Sequence, residues 1–131
     1  MEIEIEKPFC LHLDVVETDE HVPSMRTQVM IDVHQFGHRL EFRGSVWFDC
    51  SVWDTFVAGL NSISEGEAEL VDMGGHFTLR LGVVSGKQVV SCEMKKADVT
   101  GAVATAAFRS PINEDAWAHI KNQFKQFDRW W

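Results

Sequence analysis

Between Phe9 and Phe48 apolar side chains return at every second position in three successive runs, and this period of two constrains the fold more than any other feature. Phe9, Leu11, Leu13 and Val15 alternate with Cys10, His12 and Asp14. Val29, Ile31 and Val33 alternate with Gln28, Asp32 and His34, and Leu40, Phe42, Val46 and Phe48 alternate with Arg39, Glu41, Arg43, Ser45 and Trp47. Successive strand residues point to opposite faces, so each run predicts a strand with one buried and one solvated face, as in antiparallel sheets. Gln35-Phe36-Gly37-His38 joins the second and third runs as a short glycine-containing loop, which predicts a hairpin. The polar stretch around Asp19, Glu20 and Pro23 predicts a loop between the first two.

The period then changes. Val52, Trp53, Phe56, Val57, Leu60 and Ile63 recur at spacings of three and four, which is one face of a helix. Ser51 followed by Asp54 resembles a capping box, and Glu65-Gly66 supplies a stop. Gly59 inside this helix costs about 1 kcal/mol relative to Ala, so it marks close approach to a strand. Four further strand patterns run from Glu67 to Met73, His76 to Val84, Gln88 to Lys95 and Ala102 to Arg109, with Gly74-Gly75 and Ser85-Gly86-Lys87 as turns of a meander. Ala102, Ala104 and Ala106 are small for a strand and invite a helix to pack on them. A second helix is signalled by Pro111, by Asn113 as N-cap and by Glu114 and Asp115 in the first turn, with Trp117, Ile120, Phe124 and Phe127 as its apolar stripe.

These elements describe a single α+β domain over residues 1–131: an antiparallel sheet of about seven strands with two amphipathic helices, one central and one C-terminal. A sheet covered on one side by the helices is preferred to a two-sheet sandwich with flanking helices, because both apolar stripes need burial. The net charge of −8 repels phosphate backbones and disfavours direct nucleic-acid binding, while it attracts basic protein partners. The start, Met1-Glu2-Ile3-Glu4-Ile5-Glu6, lacks the basic and apolar regions of a signal peptide, and no apolar run approaches the ~18–20 residues of a membrane span. A cytoplasmic protein is expected, with Cys10, Cys50 and Cys92 as buried thiols in a reducing compartment.

His12 and Asp14 on one strand and Asp32 and His34 on another share the non-core face, a set that would suit Zn²⁺ or Mn²⁺ if neighbouring strands brought it together, although solvated polar residues need no metal to explain them. No nucleophile elbow, low-pKa cysteine setting or phosphate-binding loop is present, and Glu67 and Glu69 fit a solvated edge better than acid–base catalysis. No catalytic residue, cofactor or metal is therefore assigned. Trp47 is more informative, because it interrupts the hydrophilic series Arg39, Glu41, Arg43 and Ser45 with a large ring. Trp and Arg concentrate at the energetic centres of interfaces, which marks Glu41, Arg43 and Trp47 as candidate partner-binding residues; the other reading places Trp47 beneath a helix end. The terminal Trp130-Trp131 pair either folds back on the chain or forms a symmetric dimer contact.

From about Leu40 to Phe127 the order of elements resembles bacterial immunity proteins of the WapI type. The likeness is carried by Leu40-Glu41-Phe42-Arg43-Gly44, by Trp53, Phe56 and Leu60 of the helix closing at Gly66, by Ala68 and Leu70, by Phe77, Leu79 and Leu81, and by the last helix. These are core positions, and the Trp-rich tail lies outside the likeness. The resemblance implies a non-enzymatic protein that binds a cognate toxin domain and blocks it. A small-molecule-binding protein, or an enzyme with a pocket between helices and sheet, is the alternative.

Overall fold

The computed structural model describes residues 1–131. Four strands come first: β1 (Glu2–Ile5), β2 (Cys10–Asp19), β3 (Ser24–Gln35) and β4 (His38–Asp49). Helix α1 (Cys50–Ser62) follows, then β5 (Gly66–Val71), β6 (Phe77–Val84), β7 (Lys87–Ala97) and β8 (Val103–Pro111), and α2 (Glu114–Gln126) ends the order. The chain is thus α+β with one central and one C-terminal helix, and its eight strands form two antiparallel four-stranded sheets, β1-β2-β3-β4 and β5-β6-β7-β8. The strand pattern alone predicted one sheet. The division follows from burial: both meanders carry a full apolar inner face, and each covers the other.

The sheets meet through aromatic rings. Phe48 of β4 stands 5.9 Å edge-on to Phe77 of β6, and Phe9 lies 4.9 Å from Phe108 of β8. The helices add Trp53, Phe56, Leu60, Trp117, Ile120 and Phe124 to the same continuous core. Phe124 joins them, 5.4 Å from Trp53 and 4.9 Å from Phe56. Gly59 lies where its periodicity implied, since a Cβ there would stand 3.2 Å from the Ala68 Cβ of β5.

Local signals account for most boundaries. The two-residue turn Phe36-Gly37 has positive φ at both positions, +54° and +74°, the primed geometry that matches strand twist. Asn113 caps α2 by accepting from the Ala116 amide at 2.8 Å. At α1 the cap is Asp49, not Ser51: its carboxylate accepts from the Ser51 amide at 2.8 Å and hydroxyl at 2.7 Å, so the helix begins two residues earlier than the Ser51–Asp54 spacing suggests.

Two further expectations are corrected. Cys10 is exposed, because it lies on the outward face of β2, whereas Cys50 and Cys92 are buried. The small residues of β8 receive no helix: α2 instead lies along β1, where Gln123 accepts from the Glu4 amide at 3.1 Å and the His119 ring meets the Glu4 carbonyl at 3.3 Å. Ala104 remains exposed. No helix is long and apolar enough to cross a membrane.

Candidate partner-binding face

The outer face of the first sheet is built from the polar halves of its alternating strands. The β2–β3 register sets Cys10 opposite Asp32 and His12 opposite Met30, and the β3–β4 register sets Asp32 opposite Glu41, Met30 opposite Arg43 and Arg26 opposite Trp47. The strands carrying His12, Asp14, Asp32 and His34 are therefore neighbours, yet the register keeps the two pairs apart. His12 bonds Glu2 at 3.0 Å, while His34 bonds Asp32 at 3.1 Å. The four side chains do not converge as a ligand set.

Along β4 the charges form a chain. Arg39 grips the Asp32 carboxylate with two nitrogens, each at 3.2 Å, and reaches Glu41 at 3.2 Å, while Arg43 meets the other Glu41 oxygen at 3.1 Å. The Arg39 guanidinium holds the Asp32 carboxyl below the usual carboxylate range, and Asp32 in turn raises the Arg39 pKa. These are exposed, solvent-screened pairs, so they order the arginine forks more than they stabilise the fold. Glu41 and Arg43 are thus brought together as one charged unit.

Trp47 lies at the far end of this chain, half-buried on the rim of an open hollow of about 450 Å³. The β2–β3 turn supplies Asp19, Val22 and Ser24 to the walls, and the β5–β6 loop supplies Asp72, Met73, Gly74 and His76. No helical residue lines the hollow, and on that side Trp47 borders the β5–β6 loop. The loop is rigidly tied: the Met73 amide donates to the Trp47 carbonyl at 2.8 Å. Buried Asp72 accepts from the amides of Gly74, His76 and Phe77 at 3.2, 2.7 and 2.8 Å. Asp72 is therefore a structural anchor with its oxygens engaged. Opposite Trp47, Arg26 bonds Glu17 at 2.8 Å and the Ser45 hydroxyl at 3.4 Å. Sequence reasoning missed Arg26, Met73 and His76; the outward alternation of Arg26 with Gln28 was the one signal available for any of them.

Other candidate groups are engaged elsewhere. Glu69 bonds Arg80 at 2.7 Å and Glu67 approaches Arg109 at 3.7 Å, so the two glutamates of β5 are neutralised separately and do not form an acid–base pair. Burial, with Asp49 and Asp54 nearby, pushes the Cys50 thiol up to about 11, and burial also raises Cys92, which leaves neither as a thiolate near neutral pH. A second hollow of about 540 Å³ lies between β1 and α2, lined by Glu4, Glu6, Lys7, Asp115, His119 and Gln123. It is the cleft between helix and sheet that a small-molecule site would use, but its walls are polar and largely acidic. The C-terminal tail folds back on α1: Arg129 meets Asp54 at 2.7 Å and the Trp131 indole donates to the same carboxylate at 2.9 Å.

No family model, curated protein or solved structure matches the chain.

Proposed function

We propose that this chain is a non-enzymatic, cytoplasmic protein-binding module, an immunity protein that neutralises a basic toxin domain through the outer face of β4. The observation that carries the reading is Trp47: a half-buried indole on the rim of a hollow that no helical residue lines, on the same strand as the Arg39–Glu41–Arg43 ion-pair chain. A fixed aromatic ring loses little conformational freedom on binding, and the pre-ordered arginine forks lose less than free ones. The net charge of −8 would speed encounter with a basic partner.

The test is titration of the full chain against a basic toxin domain encoded beside it. Trp47→Ala should weaken binding by ~2 kcal/mol or more with little change in melting temperature, because the bond to Met73 is made by the backbone carbonyl and survives truncation. Glu41→Lys should mainly slow association and flatten its dependence on salt. Unchanged affinity of a stably folded Trp47→Ala protein rejects this face as the binding site.

A further inference from the structure

Each sheet has two edges, and three of the four are guarded. Along β1, Gln123 and His119 of α2 satisfy the backbone of Glu4. Along β4, the Trp47 carbonyl is taken by the Met73 amide and the Arg43 carbonyl by the Lys96 ammonium, with Arg39, Glu41 and Arg43 adding charge. The β5 edge is six residues long, carries Glu67 and Glu69, and has α1 packed close beside it at Gly59. Short length, charge and cover are the usual protections of a strand edge.

The β8 edge is the least protected, nine residues long with its one charge at Arg109. From Ala102 to Phe108 it bears no charge, and Val103 is 58% exposed. The β7–β8 ladder fixes which backbone groups are free. The Ile112 amide donates to Gln88 and the Asp98 amide to Ala102, so even-numbered residues face β7. In an antiparallel pair the N–H and C=O of one residue point to the same side and alternate along the strand. Val103, Thr105, Ala107 and Arg109 therefore present their amides and carbonyls outward, and Pro111, which has no N–H, ends the row.

We infer that two copies of this chain associate through β8, antiparallel about a twofold axis at Ala106, to join their second sheets into one. In this register Thr105 faces Ala107 of the second copy and Val103 faces its Arg109, and these are the rungs on which both residues exchange hydrogen bonds. Every outward amide and carbonyl from Val103 to Arg109 finds a partner. The rungs between them, Ala106 against Ala106 and Ala104 against Phe108, are the closely spaced type, where the alanines leave room for the approach. The charges also agree. The two Arg109 side chains stand about 20 Å apart along the paired strands, and each arrives at the end of the partner strand that adjoins the Asp98 turn. A one-residue slip would leave the outward groups facing inward ones, and a two-residue slip would set Val103 against Pro111, which has no N–H, or Arg109 against Gly101 beyond the strand, so this register pairs the most outward groups.

Sedimentation of the full chain from roughly 1 μM to roughly 500 μM, the range in which small interfaces associate, tests this directly. Wild type should shift from monomer to dimer, and Ala107→Pro, which removes an outward N–H while leaving the β7 ladder intact, should stay monomeric. Thr105→Lys combined with Ala107→Lys sets like charges across both central rungs and should weaken the dimer by about tenfold. Thr105→Glu combined with Ala107→Lys sets opposite charges across the same rungs and should restore it. The charge variants also cover the case in which Ala107→Pro fails to fold. A wild-type monomer at the highest concentration, or a dimer indifferent to all of these substitutions, overturns the inference; neither result bears on Trp47, which belongs to the other sheet.

Discussion

Phe36 is the one large aromatic side chain left almost wholly in water, 93% exposed at the tip of the β3–β4 hairpin with φ +54°. A bulky residue in the left-handed region carries backbone strain, and here no packing offsets it. Phe36→Asn should therefore raise stability by about 0.5–1 kcal/mol, seen as a melting point a few degrees higher; an unchanged or lower one would mean that the ring makes a contact worth more than the strain. The same residue shows how much one position discloses. Gly37 marked the turn in the sequence, and Trp47 stood out by interrupting a polar series, because both depend on local pattern. The hollow beside Trp47 was not legible, since Met73 and His76 reach it from a loop whose position depends on how the second sheet packs against the first.

At the scale of elements, alternation and helical spacing located nearly every strand and both helices, because a half-buried element must carry its apolar residues on one face. β1 was missed although Ile3 and Ile5 are buried and alternate with glutamates, for a four-residue run is too short to set a period against a charged background. The cap of α1 was misplaced because Asp49 and Ser51 are both good caps and only the backbone decides between them. That cap has a pH signature. Its bonds to Ser51 hold the Asp49 carboxyl below its usual value of 3.8. A depressed folded-state pKa contributes stability that is complete above the unfolded value and is lost as pH falls through the folded one. Asp32 and Asp98 are depressed in the same sense, Asp32 chiefly by Arg39 and Asp98 chiefly by Thr100. Melting temperature should thus decline as pH drops below about 4. Asp49→Asn, which still caps, should keep the helix at neutral pH and make that decline shallower; an equally steep decline would exclude the cap as a contributor.

For the whole molecule, the division into two sheets rests on which strands α1 connects. β4 enters it from one layer and β5 leaves it in the other, and no periodicity within either strand records that step. The same long-range packing fixes the chain's end. Asp54, on the outer side of α1, accepts from both Arg129 and the Trp131 indole, and Phe127 lies 4.7 Å from Trp53, so the tail closes over the aromatic cluster that joins the helices. Trp131 is half-buried by this arrangement and stacks edge-on against Trp130 at 5.6 Å. Asp54→Ala removes the acceptor for both tail residues, while the Phe127 anchor stays. The expected result is a loss of about 1 kcal/mol, the scale of one part-buried hydrogen bond, since the exposed Arg129 pair adds little. Tryptophan emission should shift to the red as Trp131 becomes hydrated, and amide exchange beyond Phe127 should quicken. Asp54→Asn retains one acceptor oxygen for the indole and should keep most of the wild-type emission. If Asp54→Ala leaves both emission and exchange unchanged, the aromatic contacts alone hold the tail and the shared carboxylate is incidental.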